Sequence, residues 1–167
     1  MKKVEAEKLA KVNPKFKEGY TERMEPEQKV SDTILKLIAL AEAGSHLPKQ
    51  ELFESLWYDD GKREAHIERR IGYDHITDQE DYIIKTFEAL SSAEIARLGD
   101  GGYIEIEMDN QTWSVVIDGN GTIKTAYPHD DRFASFAQNQ ANRGRKVYET
   151  TIPERIREIL KRLFGAL

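Results

Sequence analysis

The chain has 167 residues, a length that suits a single domain with a hydrophobic core of its own. It contains no cysteine, which excludes disulfide scaffolds, thiol nucleophiles and thiolate zinc sites and fits the cytoplasmic location that we expect. Hydrophobic residues make up 39% and charged residues 33%, a balance typical of globular proteins rather than disordered chains. No apolar run approaches the ~20 residues that a membrane-spanning helix needs, so we expect no membrane partner.

The net charge of −5 is unevenly distributed along the chain. From Asn142 to the end, seven basic residues stand against three acidic ones, so this part is basic and the remainder strongly acidic. Binding to nucleic acid depends on local patches of charge rather than on the total. The composition therefore neither demands nor excludes a nucleic-acid partner.

Residues 1–30 are highly charged and lack a clear helical period, and we interpret them as an N-terminal arm. The first helix is expected to begin at Ser31, a residue type that caps helix N-termini, and to end at Gly44. A second helix is expected to start near Pro48, because proline is tolerated in a first helical turn.

Further helices are predicted before the hydrophobic period changes. A third, short helix spans roughly residues 62–71 and ends before Gly72. The fourth opens with Thr77-Asp78-Gln79-Glu80, which fits a capping box, because the threonine oxygen and the glutamate carboxylate can each accept a backbone N–H. Ser91-Ser92-Ala93-Glu94 fits a second such box and predicts a brief helix to about Leu98.

After Gly102 the hydrophobic period becomes two, the period of a strand. Ile104 and Ile106 alternate with Glu105 and Glu107, so we expect the first strand to leave its glutamates in water. This pattern is typical of an antiparallel sheet with one buried and one wet face.

Two more strands are predicted to complete a meander, over residues 113–117 and 122–127. Asp118-Gly119-Asn120-Gly121 between them is a strong hairpin signal, because glycine and asparagine tolerate the positive φ of tight turns. Residues 146–150 are candidates for a fourth strand. The apolar residues from Ile152 to Phe164 form one stripe of a final amphipathic helix.

The order of these elements predicts an α+β fold, with N-terminal helices, then an antiparallel β-meander of three to four strands, then a C-terminal amphipathic helix. We divide the chain into the charged arm over residues 1–30, an α+β domain over 31–128, and a basic extension over 129–167. The amphipathic helix of this extension is expected to pack on the domain.

Residue types that can carry chemistry gather in the predicted third helix, in the run Glu64-Ala65-His66-Ile67-Glu68-Arg69-Arg70. Residues three and four apart share a helix face, so His66 is expected beside Arg69 and Arg70. An imidazole moves protons near neutral pH, and a guanidinium offers phosphate oxygens a rigid fork of donors, which suits phosphodiester cleavage. From spacing alone, a solvated face of weak salt bridges is the more frequent explanation.

A second group of polar residues lies at the end of the predicted third strand. Thr125 and Tyr127 are two apart and therefore share a face, with Lys124 expected on the opposite face. Their hydroxyls could hold a phosphate or orient a nucleophile. His129-Asp130-Asp131 could bind a divalent metal, although adjacent carboxylates point apart. Taken alone, the segment is more simply explained as a strand followed by a polar loop.

Together, these segments resemble the barnase–EndoU–colicin–RelE superfamily of metal-independent ribonucleases, most of all its phage-encoded and polymorphic-toxin branches. The resemblance covers roughly residues 62–128. The motifs that carry it are His66-Ile67-Glu68-Arg69-Arg70, Ile76-Thr77-Asp78-Gln79-Glu80-Asp81-Tyr82-Ile83, Trp113-Ser114-Val115-Val116-Ile117-Asp118 and Gly121-Thr122-Ile123-Lys124-Thr125-Ala126-Tyr127-Pro128. It implies a ribonuclease, often a toxin that acts on transfer RNA or other RNA, with a possible cognate inhibitor or immunity protein as partner.

The resemblance also implies roles for single residues. His66 would be the acid/base histidine, Arg69 or Arg70 the phosphate-binding cation, and Thr125 the hydroxyl on the last strand, with Tyr127 as an aid. The reaction would be attack of a 2′-hydroxyl on the adjacent phosphorus, which needs a base, an acid and cationic stabilisation but neither metal nor cofactor.

Further residues complete this expected site. The second acid or base stays open between His75 and His129. The residues expected to contact the RNA are Lys124, Arg143, Arg145 and Lys146.

Two other classes of function stay open. A non-enzymatic phage or mobile-element protein could use the same fold to bind or inhibit a basic protein partner through its acidic surface. A metal-dependent nuclease could be built on His129, Asp130 and Asp131. Ribonuclease activity that resists EDTA, a copurifying partner without cleavage, and cleavage that EDTA abolishes distinguish the three hypotheses.

Overall fold

The computed structural model describes residues 25–71, 76–99, 102–108, 113–128, 142–144 and 146–167. The helices in these ranges are α1 (Pro26–Ala43), α2 (Lys49–Ser55), α3 (Asp60–Arg70), α4 (Gln79–Ser91) and α5 (Glu154–Gly165). The strands are β1 (Ile95–Gly99), β2 (Ile104–Glu107), β3 (Trp113–Ile117), β4 (Ile123–Pro128) and β5 (Val147–Thr151). The predicted α+β class is confirmed, but the sheet has five strands rather than three to four.

All five strands form one antiparallel sheet in the order β4-β3-β2-β1-β5. β1 to β4 follow one another as a meander, and β5 then pairs along the other side of β1, with Arg97 opposite Glu149 and Leu98 opposite Tyr148. The candidate strand at residues 146–150 therefore exists as β5. This strand belongs to the predicted extension and pairs with β1 of the predicted domain, so the two parts of the chain share one sheet.

The extra strand is β1, where the predicted helix over residues 91–98 is wrong. Ser92 ends α4 instead of opening a new helix, and its N–H donates to the Glu88 carbonyl at 3.0 Å. The backbone of Glu94 already bonds on both sides, to Glu107 of β2 at 3.0 Å and to Ile152, the residue after β5, at 2.8 Å. Pairing on both sides outweighs the local capping signal, because tertiary context overrides weak propensities.

Two helix starts also differ from expectation. α1 begins at Pro26 rather than after Ser31, and it buries Val30 in the core. The cap of α4 is shifted by one residue from the predicted box. Asp78 accepts from the Asp81 N–H at 2.8 Å, and the Asp81 carboxylate accepts from the Thr77 N–H at 3.1 Å. Two aspartates thus act as the capping acceptors instead of the predicted threonine and glutamate.

The hydrophobic core lies between one face of the sheet and helices α1, α4 and α5. Ile104 and Ile106 of β2 are fully buried on this face. Phe87 of α4 stacks on Phe164 of α5 with ring centroids 5.6 Å apart, which joins the C-terminal helix to the centre of the fold. The expected packing of the amphipathic helix is present in this contact.

The β3–β4 hairpin packs against the backbone of α1 at Gly121, whose φ is 82°. A Cβ there would lie 2.5 Å from the Leu37 nitrogen.

We expect Gly121→Ala to lower the free energy of unfolding by about 2–5 kcal/mol, because a backbone clash adds to left-handed strain. Gly102→Ala is the control, since φ is 86° but no atom of the described residues lies within 4 Å of the added Cβ. Equal losses in urea unfolding of the two variants would contradict this packing.

Candidate active site

The link between α2 and α3 is hydrogen-bonded to the start of β4. The Ile123 N–H donates to the Leu56 carbonyl at 2.7 Å, and the Tyr58 N–H donates to the Ile123 carbonyl at 3.2 Å. Asp59 then caps α3 by accepting from the Lys62 N–H at 2.8 Å. These contacts hold α3 against β4, which is an outer strand of the sheet.

This arrangement brings together the two groups of polar residues found in the sequence. The Thr125 hydroxyl of β4 and the His66 Nδ1 of α3 lie 3.1 Å apart, within hydrogen-bond distance. The Trp57 ring also packs on the imidazole, with centroids 5.8 Å apart. Both His66 and Thr125 are half-buried, so the pair is oriented by the protein while part of it still faces solvent.

One side of α3 concentrates its positive charge around His66. The cations three or four residues from it along the helix are Lys62, Arg63, Arg69 and Arg70. Glu64 and Glu68 are each two residues from His66 and therefore face away from it. The predicted site included only the two arginines after His66, although Lys62 lies four residues before it and shares the same helix face. The protein therefore has a local basic surface around His66, although its net charge is negative.

The pKa of His66 is lowered from its ordinary value of 6.5 to about 4. Burial of the imidazole is the main cause, and the positive charges of Arg69, Arg70 and Lys62 add to it. His66 is therefore neutral at neutral pH. Among the described residues, its Nε2 has no hydrogen-bond partner, so the neutral ring can offer a nitrogen to a substrate proton.

The low pKa of His66 predicts a specific pH dependence of stability. Between pH 6.5 and 4 the unfolded chain binds a proton at this residue and the folded chain does not, so stability falls as pH falls through that window. We expect the imidazole resonances of His66 to titrate near pH 4 by NMR. In His66→Gln, the loss of free energy of unfolding between pH 6.5 and 4 that comes from His66 should disappear. A titration midpoint at or above 6.5 would contradict the assigned burial.

The arginines around His66 differ in their surroundings. Arg63 is buried and forms an ion pair with Asp60 at 2.7 Å, which gives it a structural role at the start of α3. Arg69 is exposed, and its Nε donates to the Ala65 carbonyl of its own helix at 3.3 Å. Arg70 is half-buried, and its charge acts on Tyr82 as well as on His66. Arg69 is thus the arginine that most freely faces solvent beside the imidazole.

The strand β4 carries a bulge at Lys124. Val116 pairs with Thr125 and Ile117 with Ile123, so Lys124 is an extra residue and strict alternation is broken. The Lys124 ammonium lies 3.6 Å from the centre of the Tyr58 ring and 5.5 Å from that of Tyr103. The strict alternation from which Lys124 was expected on the face opposite Thr125 therefore does not hold at this position.

The Tyr127 side chain points across the sheet face toward Glu105 of β2 rather than toward His66. It is 6% exposed, and its hydroxyl donates to the carboxylate of Glu105. Any help that it gives to Thr125 is therefore indirect, through the position of the strand.

A buried ionic cluster lies on the same sheet face as Thr125 and Tyr127. Arg97 of β1 binds Glu105 at 3.1 Å, Glu149 at 2.7 Å and Glu107. The expectation of wet glutamates on β2 is wrong, since Glu105 and Glu107 are both 0% exposed. Sequence reasoning missed the cluster because it placed Arg97 in a helix. In a strand, the register sets Arg97 directly opposite both Glu105 and Glu149.

Of the other residues expected to contact RNA, Lys146 lies far from His66 in the sheet. Arg143 and Lys146 are exposed, and Lys146 precedes β5, on the opposite edge of the sheet from β4. At about 4.8 Å per strand, these edges lie about 19 Å apart. Arg145, His75 and the His129-Asp130-Asp131 run lie outside the described residues. Among residues that the structure does describe, no three histidine, aspartate or glutamate side chains form a group that could hold a metal ion.

The comparisons with known proteins establish the family of the chain. It belongs to the family described as "Uncharacterised protein aq_aa01", whose model matches residues 48–166, more than half of the chain. The match includes the His66–Thr125 pair and all five strands. No curated protein and no solved structure matches the chain. In the described ranges, no helix has the length and apolar character needed to cross a membrane.

Proposed function

We propose that the protein is a metal-independent endoribonuclease with its active site between α3 and β4. The observation that carries the proposal is the contact of 3.1 Å between His66 and Thr125, with Lys62, Arg69 and Arg70 close enough to act on the imidazole. A neutral imidazole beside fixed cations can remove a proton from a hydroxyl while the cations hold the neighbouring phosphate.

The proposed reaction begins at a 2′-hydroxyl of the bound RNA. His66 Nε2 accepts the hydroxyl proton while the 2′-oxygen bonds to the adjacent phosphorus, and the phosphorus–5′-oxygen bond breaks. The leaving 5′-oxygen takes a proton from water. Arg69 and Arg70 stabilise the negative charge that grows on the phosphoryl oxygens, and Thr125 fixes the orientation of the imidazole by its contact with Nδ1.

The first experiment incubates the purified protein with total bacterial RNA, with and without EDTA. The proposal expects discrete fragments ending in 2′,3′-cyclic phosphates in both lanes. Intact RNA in every lane would contradict the proposal and favour a non-enzymatic protein that binds a partner. Cleavage that stops when EDTA is present would place the chemistry in a metal-dependent site instead.

A further inference from the structure

An aromatic and cationic surface lies beside the His66–Thr125 pair. Its members are Tyr58, Lys124 and Tyr103, with the Lys124 ammonium 3.6 Å from one ring centre and 5.5 Å from the other. Tyr58 is 37% exposed, a large fraction for an aromatic side chain in a folded domain. A cation–π contact at so exposed a position is weak and readily exchanged for another partner.

Tyr58 is fixed in place although its ring is exposed. Its N–H bonds to the Ile123 carbonyl at 3.2 Å, two residues before Thr125. The preceding residue, Trp57, is buried and packs on His66 with ring centroids 5.8 Å apart. The backbone at Tyr58 is thus held by its hydrogen bond to β4 and by the packing of Trp57 on His66. A ring on a fixed backbone loses little conformational freedom when it binds a ligand.

The bulge in β4 is a second, independent feature of this surface. It inserts Lys124 as an extra residue immediately before Thr125. Bulges often re-aim a side chain next to an active site. Here the ammonium of the bulged residue lies close to two tyrosine rings, and the next residue carries the hydroxyl that contacts His66. A phosphate bound by this ammonium would lie close to both aromatic rings.

We propose that Tyr58 and Lys124 form a nucleotide subsite that binds an unstacked base and its phosphate, so that the protein selects single-stranded RNA. The inference rests on the proposed ribonuclease function and names its substrate class. The tyrosine ring stacks on the base, which any base sequence allows, and the lysine contacts the phosphate beside it. Paired bases inside a duplex are already stacked and cannot reach the ring.

The test uses wild-type protein and a fluorescein-labelled 2′-O-methyl oligoribonucleotide about ten nucleotides long, which lacks the attacking hydroxyl. Fluorescence anisotropy measures its affinity alone and annealed to its complement. We expect the single strand to bind at least about tenfold more tightly than the duplex. Tyr58→Ala should weaken single-strand binding about tenfold or more, and Tyr58→Phe should bind like wild type, because stacking does not need the hydroxyl. Tyr148→Ala, on the opposite edge strand, is the matched control and should bind like wild type.

Each outcome separates this inference from the ribonuclease proposal. Binding that depends on Tyr58, in a protein that never cleaves RNA, would keep the subsite and overturn the nuclease. Cleavage that depends on His66 but affinity that does not change in Tyr58→Ala would keep the nuclease and overturn the subsite. Equal affinity for single strand and duplex, or a loss in Tyr58→Phe as large as in Tyr58→Ala, would also overturn the subsite. Failure to bind the oligonucleotide at all would overturn the subsite, and cleavage of total RNA by the same protein would then decide the ribonuclease proposal.

Discussion

Replacing His66 with alanine is expected to lower the rate of RNA cleavage by about 10²–10⁴-fold while leaving the protein folded. The reason is that the imidazole is the only described group placed to accept the 2′-hydroxyl proton at the proposed site. Its Nε2 forms no hydrogen bond with a described residue and can accept that proton. The measurement is single-turnover cleavage of a labelled RNA by wild type and variant at neutral pH. Far-UV circular dichroism of the same samples reports whether the fold is kept.

His46→Ala is the matched control for this prediction. His46 is exposed after the end of α1, away from the α3–β4 contact, so its loss should leave the cleavage rate unchanged. If His66→Ala cleaves RNA as fast as His46→Ala does, His66 is not the base. If His66→Ala unfolds, the same comparison can be made with His66→Gln, which keeps a polar group near Thr125.

The pH dependence of the cleavage rate is a second test of His66 as the base. A base is active in its neutral form, so the rate should rise with pH around the His66 pKa of about 4 and level off above it. An acid limb centred near 6.5 would instead indicate a histidine in its ordinary environment.

The largest loss of stability is expected from Arg97→Ala. Its guanidinium is the described cation that contacts Glu105 and Glu107, both fully buried, and its removal leaves their carboxylates in a low-dielectric interior without it. Breaking a buried ion pair by removing one partner costs about 3–5 kcal/mol, a large fraction of the stability of a single domain. Urea unfolding monitored by circular dichroism measures the loss.

Two further variants test the cause of the Arg97 effect. Arg155→Ala removes an exposed arginine from α5 and should change the free energy of unfolding by less than about 0.5 kcal/mol. Adding Glu105→Gln and Glu107→Gln to Arg97→Ala removes the buried negative charge and should restore part of the lost stability. If the triple variant is no more stable than Arg97→Ala, the loss comes from packing rather than from charge.

The sequence predicted the helices and the meander because their signals are local. Caps, turn glycines and hydrophobic periods act over a few residues, and they correctly placed α2, α4 and the β3–β4 hairpin. The strand β1 could not be predicted in this way. Its conformation depends on pairing with β2 and β5, and β5 lies more than forty residues further along the chain.

The candidate site shows the same division between local and long-range information. Helix spacing predicted that His66 lies with Arg69 and Arg70, and strand alternation predicted that Thr125 and Tyr127 share a face. The contact between His66 and Thr125 joins residues 59 apart in sequence, and only the docking of α3 on β4 creates it. The buried glutamates of β2 were mistaken for exposed ones, because alternation shows which residues share a face but not whether that face meets water.

The position of β5 has a consequence for how the chain folds during synthesis. Until residues 147–151 have left the ribosome, β1 lacks one neighbour and exposes a row of backbone donors and acceptors. Phe164 of α5, which completes the core against Phe87, is made later still. A ribosome-bound chain thus carries an open edge and an incomplete core until residues 147–164 have emerged, and such intermediates are prone to aggregate. Stalled or shortened chains that lack β5 should therefore be the ones that depend most on chaperones.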